Sequence, residues 1–532
     1  MRDMTAEVLH HMLQNNDAGA CFTFHRGIER EALRANPDGT LALTAHPEAL
    51  GAKLTHPLVT TDFSEAQLEL ITPVHRSVPE IMSNLKQIHQ WTDQQLGQER
   101  LWAGSMPCIL PEESNIPLAH YGNSNLGRLK TTYRHGLGLR YNRTMQTICA
   151  VHYNFSFSTE FFDALIQSQT AQGQSPRQND ATFRSEKYFA LMRNFRQLSW
   201  LPAYLFGASP AVDASFLRDS DHHLSRLSPS TFYYPHATSL RSGGLGYQSA
   251  TQSTLLNICY NSLDNYTDTL RRGITEPHRP YAALGQQSDI VFPQVNANIL
   301  QSEAEFYASV RAKATPPPGE NFLTFLDQEG VQYIEVRLLD ANPYLPLGVS
   351  DDQLHFMDLL LLHCMLQPSP IHGPDLCAEV AENFQRATQE GRKPGLLLGL
   401  EGKEITLLEW ATQVFDQLRS LAAALDATHN DLRYQNSLDI FETRVKHPET
   451  TPSGQLIAEL SNQNMGFIDR LHQLSDQHRE NYRKTALSED DYQYFNQVAA
   501  DSRHAFGQIP EHSDDEFKHY LAEQQQTYQR PS

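Results

Sequence analysis

The chain has 532 residues, of which 40% are apolar and 9% aromatic, so it has enough apolar side chains for a large core and global disorder is not expected. Its formal net charge is −20, and no dense run of Lys and Arg is present. Nucleic-acid binders usually carry such a basic stripe, so we do not expect nucleic acid as a partner.

The predicted elements alternate between helices and strands. Apolar residues at three- and four-residue spacing predict helices at 1–16, 77–95, 186–200, 351–366 and 375–390, with mostly helical patterns at 405–425 and from 453 onward. Apolar and polar alternation predicts strands at 25–34, 67–72, 147–158, 296–300 and 332–339. Because long helical segments separate the strands, we expect an α+β fold with an antiparallel sheet that has one polar face. The polar last twenty or so residues are expected to fray.

No internal repeat and no long linker divides the chain. We therefore expect a single large unit over 1–532, with a catalytic core at about 20–400 and a mainly helical region at about 401–532. The most apolar stretch, 356–366, is too short for a membrane span of about 20 residues, and a buried helix is the better prediction. The six cysteines form no Cys-x-x-Cys pair, which argues against zinc sites and fits a reducing cytoplasm.

The first predicted strand carries two carboxylates on one side. In a strand, residues two apart share a face, so Glu29 and Glu31 project together, opposite Arg30. The next strand adds Glu69, and the loop before it offers Asp62. Carboxylates that face one another repel unless a cation lies between them or water screens them.

Two later strands repeat this arrangement. His152 and Asn154 share a face of the strand at 147–158, and Glu335 and Arg337 lie side by side in the last predicted strand. Any one of these faces alone fits a strand with one solvated side. Together, four strands supply carboxylates, a histidine and an arginine but few lysines, and this composition is typical of a magnesium–phosphate site.

Two arginines lie near loops rich in Gly, Ser and Asn. Arg134 follows the loop at 121–127, and Arg241 precedes the glycines at 243–246. A planar guanidinium can bind two oxygens of a phosphate or carboxylate at once. Neither loop matches a P-loop or dinucleotide fingerprint, and a surface salt bridge is the alternative for each arginine.

At this point the motifs resemble those of a known family, the proteobacterial glutamate–cysteine ligases (γ-glutamylcysteine synthetases). The matching segments are RGIERE at 26–31, TDF at 61–63, SMPC at 105–108, YGNSN at 121–125, VHYNFS at 151–156, YLFGASP at 204–210, ATSLR at 237–241, YIEVR at 333–337 and GRKPG at 391–395. They follow one another in unbroken order over roughly residues 20 to 400, and the resemblance is thin beyond that point.

The resemblance implies the glutamine synthetase/guanido kinase-like fold of the carboxylate–amine ligases, an antiparallel sheet curled into a funnel and surrounded by helices. It implies a cytoplasmic enzyme in which ATP phosphorylates the γ-carboxylate of glutamate and the amine of cysteine then displaces phosphate, the first step of glutathione synthesis. One alternative is a related ligase with a different acceptor amine. Another is a catalytically silent metal- or nucleotide-binding protein, which the presence of every proposed ligand argues against.

The resemblance also implies roles for individual residues. The implied metal ligands are Glu29, Glu31, Asp62, Glu69, His152 and Glu335. The implied catalytic residues are Arg337, which meets the transferring phosphoryl group, and Arg134 and Arg241, which clamp substrate or phosphate. The implied lining of the cysteine pocket consists of Phe63, Tyr133, Tyr247 and Tyr307.

The implied cofactors are ATP and Mg²⁺, and Mn²⁺ accepts the same oxygen ligands. The family further implies a monomer, small-molecule substrates with no membrane partner, and feedback inhibition by glutathione. Two departures stand out: His135 occupies a position where relatives carry an acidic residue, and the loop after Arg241 is Ser242-Gly243-Gly244. Both bear on substrate affinity, since neither touches a proposed metal ligand.

Overall fold

The computed structural model describes residues 4–15, 17–218, 220–246, 249–256, 258–288 and 290–529. Twelve strands lie within these residues. In chain order they are β1 (Phe24–Ala35), β2 (Val59–Thr61), β3 (Gln67–Ile71), β4 (Arg100–Leu101), β5 (Val151–Phe157), β6 (Ala211–Asp213), β7 (Ser225–Arg226), β8 (Thr231–Tyr233), β9 (Val310–Lys313), β10 (Tyr333–Leu339), β11 (Leu397–Leu400) and β12 (Lys403–Thr406).

The central sheet is antiparallel and has the strand order β2-β3-β1-β5-β10-β9, with β4 paired to the end of β1. Its register places Glu31 opposite Glu69 and Glu29 opposite His152. On the far side of β5, Glu335 lies opposite Asn154. The pairing therefore brings side chains from four strands onto one face of the sheet, as the alternation in the sequence predicts.

Helices surround this sheet. In chain order they are α1 (Met4–Asn15), α2 (Ala18–Cys21), α3 (Val78–Gln95), α4 (Asn125–Tyr141), α5 (Thr159–Ala171), α6 (Ala181–Leu198), α7 (Trp200–Phe206), α8 (Ala250–Leu255), α9 (Leu263–Thr275), α10 (Arg279–Gln286), α11 (Phe322–Glu329), α12 (Asp351–Leu366), α13 (Pro374–Glu390), α14 (Leu407–His429), α15 (Arg433–Lys446), α16 (Pro452–Asn462), α17 (Phe467–Lys484), α18 (Glu489–Gly507) and α19 (Asp514–Thr527). None of the helices described is both long and apolar enough to cross a membrane.

Local sequence accounts for several helix ends. Ser77 and Ser350 cap α3 and α12 by accepting a hydrogen bond from a backbone N–H in the first turn. A capping box formed by Thr406 and Glu409 begins α14. α12 is buried on all sides from residue 353 to 366, so it forms the centre of the helical layer behind the sheet.

The face of β1 that packs against these helices buries three arginines. Arg26, Arg30 and Arg34 are 4%, 3% and 0% exposed. Arg26 donates from Nη2 and Nε to the carboxylate of Asp358, at 2.6 and 3.1 Å, and the Tyr153 hydroxyl donates to the same carboxylate at 2.6 Å. The pair fixes β1 and β5 against α12 from behind.

Arg34 pairs with Glu99 at 2.5 Å. Arg30 has no carboxylate partner among the residues described, and its Nη2 lies 3.5 and 3.4 Å from the carbonyl oxygens of Trp102 and Ala103. Protein groups therefore surround all three guanidinium groups on this face.

One strand prediction is wrong. The segment at 296–300 contains only an isolated bridge between Asn298 and Pro277. The Asn296 side chain donates to the carbonyl of Gln301 and accepts from the N–H of Asn298, and the Asn298 side chain donates to the carbonyl of Ile274. Such side-chain to backbone bonds compete with a strand ladder.

The expected fraying of the C-terminus is also wrong. Helix α19 extends to Thr527 and begins with a capping box formed by Ser513 and Glu516. Phe517 is fully buried, and the guanidinium of Arg128 lies 4.5 Å from the centre of its ring. These contacts supply the burial that an isolated polar segment lacks.

A C-terminal clamp, formed by residues 511–517, holds the start of α4. Arg128 pairs with Asp514 at 2.5 Å and donates to the carbonyl of His512 at 3.0 Å. The backbone N–H of Asn125 donates to Nδ1 of His512 at 3.1 Å. The first turn of α4 is therefore completed by residues from the other end of the chain.

Candidate active site

The inner face of the sheet gathers a histidine and several carboxylates. Nδ1 of His152 lies 3.1 Å from Oε2 of Glu29 and 3.6 Å from Oε1 of Glu335. Its Nε2 lies 3.5 Å from Oε1 of Glu31. Ligand atoms of Glu29, His152 and Glu335 all lie within 4.8 Å of one another, which is close enough for one metal ion. His152, Glu31 and Glu335 are 4%, 3% and 2% exposed.

Neighbouring groups hold two of these carboxylates in place. The backbone N–H of Ala150 donates to Oε2 of Glu31 at 2.7 Å. The side chain of Asn154 donates to Oε1 of Glu29 at 2.9 Å. The geometry is therefore pre-organised by the β1–β5 pairing and does not depend on long flexible side chains.

Glu69 and Asp62 extend the cluster toward β2. Glu69 lies on β3 opposite Glu31, and Asp62 lies in the turn that follows β2. Both side chains are half-buried. Burial raises the pKa of Glu69 well above its usual value, and the charges of Glu29 and Asp62 raise it further.

The other carboxylates divide into two groups by their electrostatic surroundings. Burial raises the pKa of Glu31. Burial alone would also raise the pKa of Glu335, but the charges of Lys313 and Arg337 outweigh it and hold that pKa well below its usual range. The protein's own cations therefore neutralise Glu335 at the β10 end of the cluster, while Glu31 on β1 and Glu69 on β3 lack equivalent compensation.

A divalent cation fits this donor set. Carboxylate oxygens are the ligands that suit Mg²⁺ and Mn²⁺, and His152 adds one imidazole nitrogen to them. Oε2 of Glu335 is buried and has no hydrogen-bond partner within the described part of the chain. Glu29, His152 and Glu335 form the tightest group of candidate ligands, and Glu31, Glu69 and Asp62 border it.

Arg337 lies at the edge of the carboxylates. Its Nη1 donates to Oε1 of Glu335 at 2.8 Å and lies 3.5 Å from Nδ1 of His152. Arg241 lies behind it and donates from Nη2 to the backbone carbonyl of Arg337 at 2.6 Å. Nη1 of Arg241 also lies 3.5 Å from Asp340, so this arginine is buried and anchored.

Arg134 lies at the opposite end of the face. It donates from Nε to the backbone carbonyl of Asp62 and from Nη1 to the carbonyl of Lys130 at 2.9 Å. Its guanidinium lies 4.6 Å from the centre of the Tyr121 ring. The structure therefore brings all three predicted arginines to the carboxylate face, two at the β10 end and one at the β2 end.

The four aromatic residues predicted to line the cysteine pocket are less tightly grouped than the carboxylates. Phe63 is 1% exposed and packs in a core cluster. The Tyr307 hydroxyl accepts a hydrogen bond from Gln146 at 2.9 Å, and its ring meets that of Tyr141 edge to face. Tyr133 is half-buried on α4, and Tyr247 lies outside the described residues. The cysteine-pocket role of these four residues stays a prediction.

Sequence reasoning missed two cations of this face. Lys313, whose Nζ lies 3.6 Å from Oε2 of Glu335, belongs to the four-residue strand β9 that alternation over so short a run did not predict. Lys130 lies one helical turn before Arg134 on α4. The i, i+4 spacing of Lys130 and Arg134 was the available signal for the second cation.

Comparison with known proteins assigns the chain to a family. A family model for glutamate–cysteine ligases matches residues 9–387. The chain is 44% identical over 476 residues to a glutamate–cysteine ligase of Pseudomonas fluorescens, covering 90% of this chain and 88% of that protein. It is also 44% identical over 504 residues to a glutamate–cysteine ligase of Azotobacter vinelandii, covering 94% of each.

Solved structures give the same result. The crystal structure of a glutamate–cysteine ligase from Francisella tularensis in complex with AMP matches with a TM-score of 0.87 and 30% identity, covering 95% of this chain and 98% of that one. A bifunctional glutathione synthetase from Pasteurella multocida matches with a TM-score of 0.71 and 22% identity, covering 92% of this chain and 58% of that one. The second likeness concerns the fold alone. The expected glutamine-synthetase-like fold is thereby confirmed.

Proposed function

The chain belongs to the glutamate–cysteine ligase family, and on this premise we propose that it joins the γ-carboxylate of glutamate to the amine of cysteine while converting ATP to ADP and phosphate. The product is γ-glutamylcysteine, the precursor of glutathione. The observation that carries the proposal is the cluster of Glu29, Glu31, His152 and Glu335 on adjacent strands, with Arg337 at its edge.

The reaction has two steps in this proposal. An oxygen of the glutamate γ-carboxylate attacks the γ-phosphorus of ATP, and ADP leaves. The amine of cysteine then attacks the carbonyl carbon of the acyl phosphate in γ-glutamyl phosphate, the C–O bond to phosphate breaks, and the amine loses a proton. Arg337 supplies a fixed positive charge where negative charge develops on the transferring phosphoryl group.

Mg²⁺ would be held by Glu29, Glu31, Asp62, Glu69, His152 and Glu335, and Mn²⁺ could be held by the same donors. When bound, the metal neutralises charge on the phosphates of ATP and on the carboxylates around it. The raised pKa values of Glu31 and Glu69 support this assignment, because these carboxylates lack a sufficient protein counter-charge.

The two remaining arginines have different supporting roles. Arg241 donates to the backbone of Arg337 and is tied to Asp340, so it fixes the position of the residue that meets the phosphoryl group. Arg134 is more accessible than Arg241 and lies beside Asp62 at the other end of the face. We assign Arg134 to a clamp on substrate.

The test is the product formed from ATP, glutamate and cysteine. We expect ADP and phosphate release only when glutamate, cysteine and Mg²⁺ are present together, with γ-glutamylcysteine identified by mass spectrometry. No γ-glutamylcysteine under these conditions would overturn the proposal. An acceptor panel of cysteine, alanine, serine and small amines separates this reaction from ligation to another amine, because cysteine should be preferred.

Compartment, domain organisation, oligomeric state and regulation are part of the proposal. All six cysteines are free thiols, which supports a reducing, cytoplasmic compartment. Core clusters combine residues before and after residue 400, such as Leu50 with Phe495, which supports one catalytic unit over 1–532. A monomer and feedback inhibition by glutathione are carried over from the family, to be checked by sedimentation and by inhibition of the purified enzyme.

A further inference from the structure

Helix α4 presents two cations one turn apart on the side that faces the carboxylates. The ammonium of Lys130 and the guanidinium of Arg134 lie 5.3 and 4.6 Å from the centre of the same Tyr121 ring. Both side chains are half-buried. Like charges at i and i+4 on a helix repel each other, so an anion bound between them would be favoured.

Neither cation has a carboxylate partner within the described residues. The donors of Arg134 are directed to the backbone carbonyls of Thr61, Asp62 and Lys130. No salt bridge or hydrogen bond of the Lys130 ammonium is found in this part of the chain. Burial and the charge of Arg134 lower the pKa of Lys130, and the charge of Glu69 opposes them.

A third cation beside the same ring, Lys53, has a structural role and serves for comparison. The ammonium of Lys53 lies 5.4 Å from the centre of the Tyr121 ring, but it forms a salt bridge with Glu65. Glu65 also accepts hydrogen bonds from the backbone N–H groups of His46 and His120. Within the described residues, a carboxylate therefore forms a salt bridge with Lys53, and none forms one with Lys130.

The position of this pair separates it from the arginine at the phosphoryl group. The charge of Lys130 lowers the pKa of Glu69 on β3, whereas Arg337 donates a hydrogen bond to Glu335 on β10. Three strand spacings separate β3 from β10, about 14 Å. Lys130 and Arg134 therefore lie at a different end of the carboxylate face from Arg337 and are available to a different anionic group.

We propose that Lys130 is a substrate-binding residue that, together with Arg134, binds the α-carboxylate of an amino-acid substrate. The inference rests on the proposed function, since glutamate and cysteine are the substrates that bring such a carboxylate. An ammonium and a guanidinium one turn apart can each donate to one oxygen of that group. The γ-carboxylate of glutamate remains free to meet ATP.

The experiment compares each substrate with its decarboxylated counterpart in wild type and in Lys130→Met. Cysteamine is cysteine without its carboxylate, and 4-aminobutyrate is glutamate without its α-carboxylate. We expect the variant to raise KM about 10- to 100-fold for one amino acid, with a smaller effect on kcat, because one charge-assisted contact is lost. KM for the matching decarboxylated compound should not change. Calorimetric binding of the same four compounds makes the comparison without turnover.

Two variants serve as controls. Lys130→Arg keeps the charge and should recover most of the affinity. Lys187→Met removes another half-buried lysine, which lies 5.2 Å from the ring of Phe183 on α6 outside the site, and should leave KM unchanged.

The outcomes are distinct. A selective effect on cysteine over cysteamine, or on glutamate over 4-aminobutyrate, supports the proposal and says which substrate is bound. Equal losses for a substrate and its decarboxylated counterpart, or a loss confined to ATP, would overturn it. Wild-type enzyme that binds these compounds but forms no γ-glutamylcysteine would count against the proposed function instead.

Discussion

On one face of β1, the side chains of Arg26, Arg30 and Arg34 are buried, and on the other face Glu29 and Glu31 meet His152. The arginine face is closed by protein groups, because Asp358 and Glu99 neutralise two of the three guanidinium groups. The glutamate face is not closed in this way. Its carboxylates outnumber the cations in contact with them, and burial raises the pKa of Glu31.

This difference separates stability from function within a single strand. Removing one partner of a buried ion pair leaves an uncompensated charge, which strongly destabilises the folded protein. A carboxylate that serves as a metal ligand has no such protein partner to lose, and it gains its counter-charge when the cation binds. Substitutions on the arginine face should therefore reduce stability, and those on the glutamate face should reduce activity.

The largest expected effect is on the arginine face. Asp358→Asn removes the charge that neutralises Arg26, and both side chains are at most 4% exposed. We expect the free energy of unfolding to fall by about 3–5 kcal/mol, because a buried cation is left without its partner. Urea unfolding followed by circular dichroism measures this. Asp351→Asn, at the exposed start of the same helix, should cost less than about 1 kcal/mol. Equal stabilities of the two variants would contradict the comparison.

Glu31→Gln should show the opposite behaviour. We expect turnover to fall about 100-fold or more, the size typical of removing a group that organises charge in the transition state. Stability should stay the same or rise, because burial raises the pKa of this carboxyl and the amide removes that cost. Steady-state assays and thermal unfolding measure the two quantities. Exposed Glu480→Gln is the control and should change neither. Retained turnover would show that Glu31 is not a ligand.

A buried histidine of α3, His89, should contribute to the loss of stability in acid. Burial, assisted by the charge of Arg30, lowers the pKa of His89 to about 3. In the unfolded chain this histidine titrates near 6.5, so below that pH the unfolded state binds more protons and stability is lost as pH falls. Between pH 7.5 and 5.0 the loss is about 2 kcal/mol.

His89→Gln should remove that share of the pH dependence. Unfolding of wild type and variant at pH 7.5 and 5.0 measures it. His519→Gln, which replaces a histidine whose side chain is 78% exposed, should behave like wild type. An identical loss of stability in wild type and His89→Gln would exclude His89 as a source of the acid sensitivity.

The smallest expected effect returns to the glutamate face. His152→Ala should raise the Mg²⁺ concentration needed for half-maximal activity about tenfold, with less change in KM for glutamate, because one of several ligands is lost. A magnesium titration of both proteins measures this. An unchanged magnesium dependence would remove His152 from the ligand set.

The sequence predicts this comparison in part. Alternation in β1, β3, β5 and β10 is long and regular, so the face shared by Glu29 and Glu31 could be predicted without a structure. The cations that contact these carboxylates could not be predicted from the sequence. Lys313 and Lys130 reach the site through a four-residue edge strand and through the packing of α4, and both depend on tertiary contacts.

The partners of the arginines on the other face could not be predicted from the sequence either. Asp358 lies 332 residues after Arg26, inside a helix whose apolar pattern only predicted burial. A lone aspartate in such a helix does not indicate which of many arginines it meets. The asparagine bonds at 296–298 and the contacts of α19 are of the same kind, because each depends on neighbours that are distant in sequence or on turn geometry.

The C-terminal clamp also affects the order in which parts of the site can form during synthesis. Arg128 and Asp514 are separated by 386 residues. At about 5–20 residues per second, a ribosome adds Asp514 roughly 20–80 s after Arg128. Throughout that interval the first turn of α4 lacks Asp514, His512 and Phe517, although the strands that carry Glu29, Glu31 and His152 are complete long before synthesis ends. The carboxylates of the site are therefore synthesised well before the clamp can hold α4, the helix that carries Lys130 and Arg134.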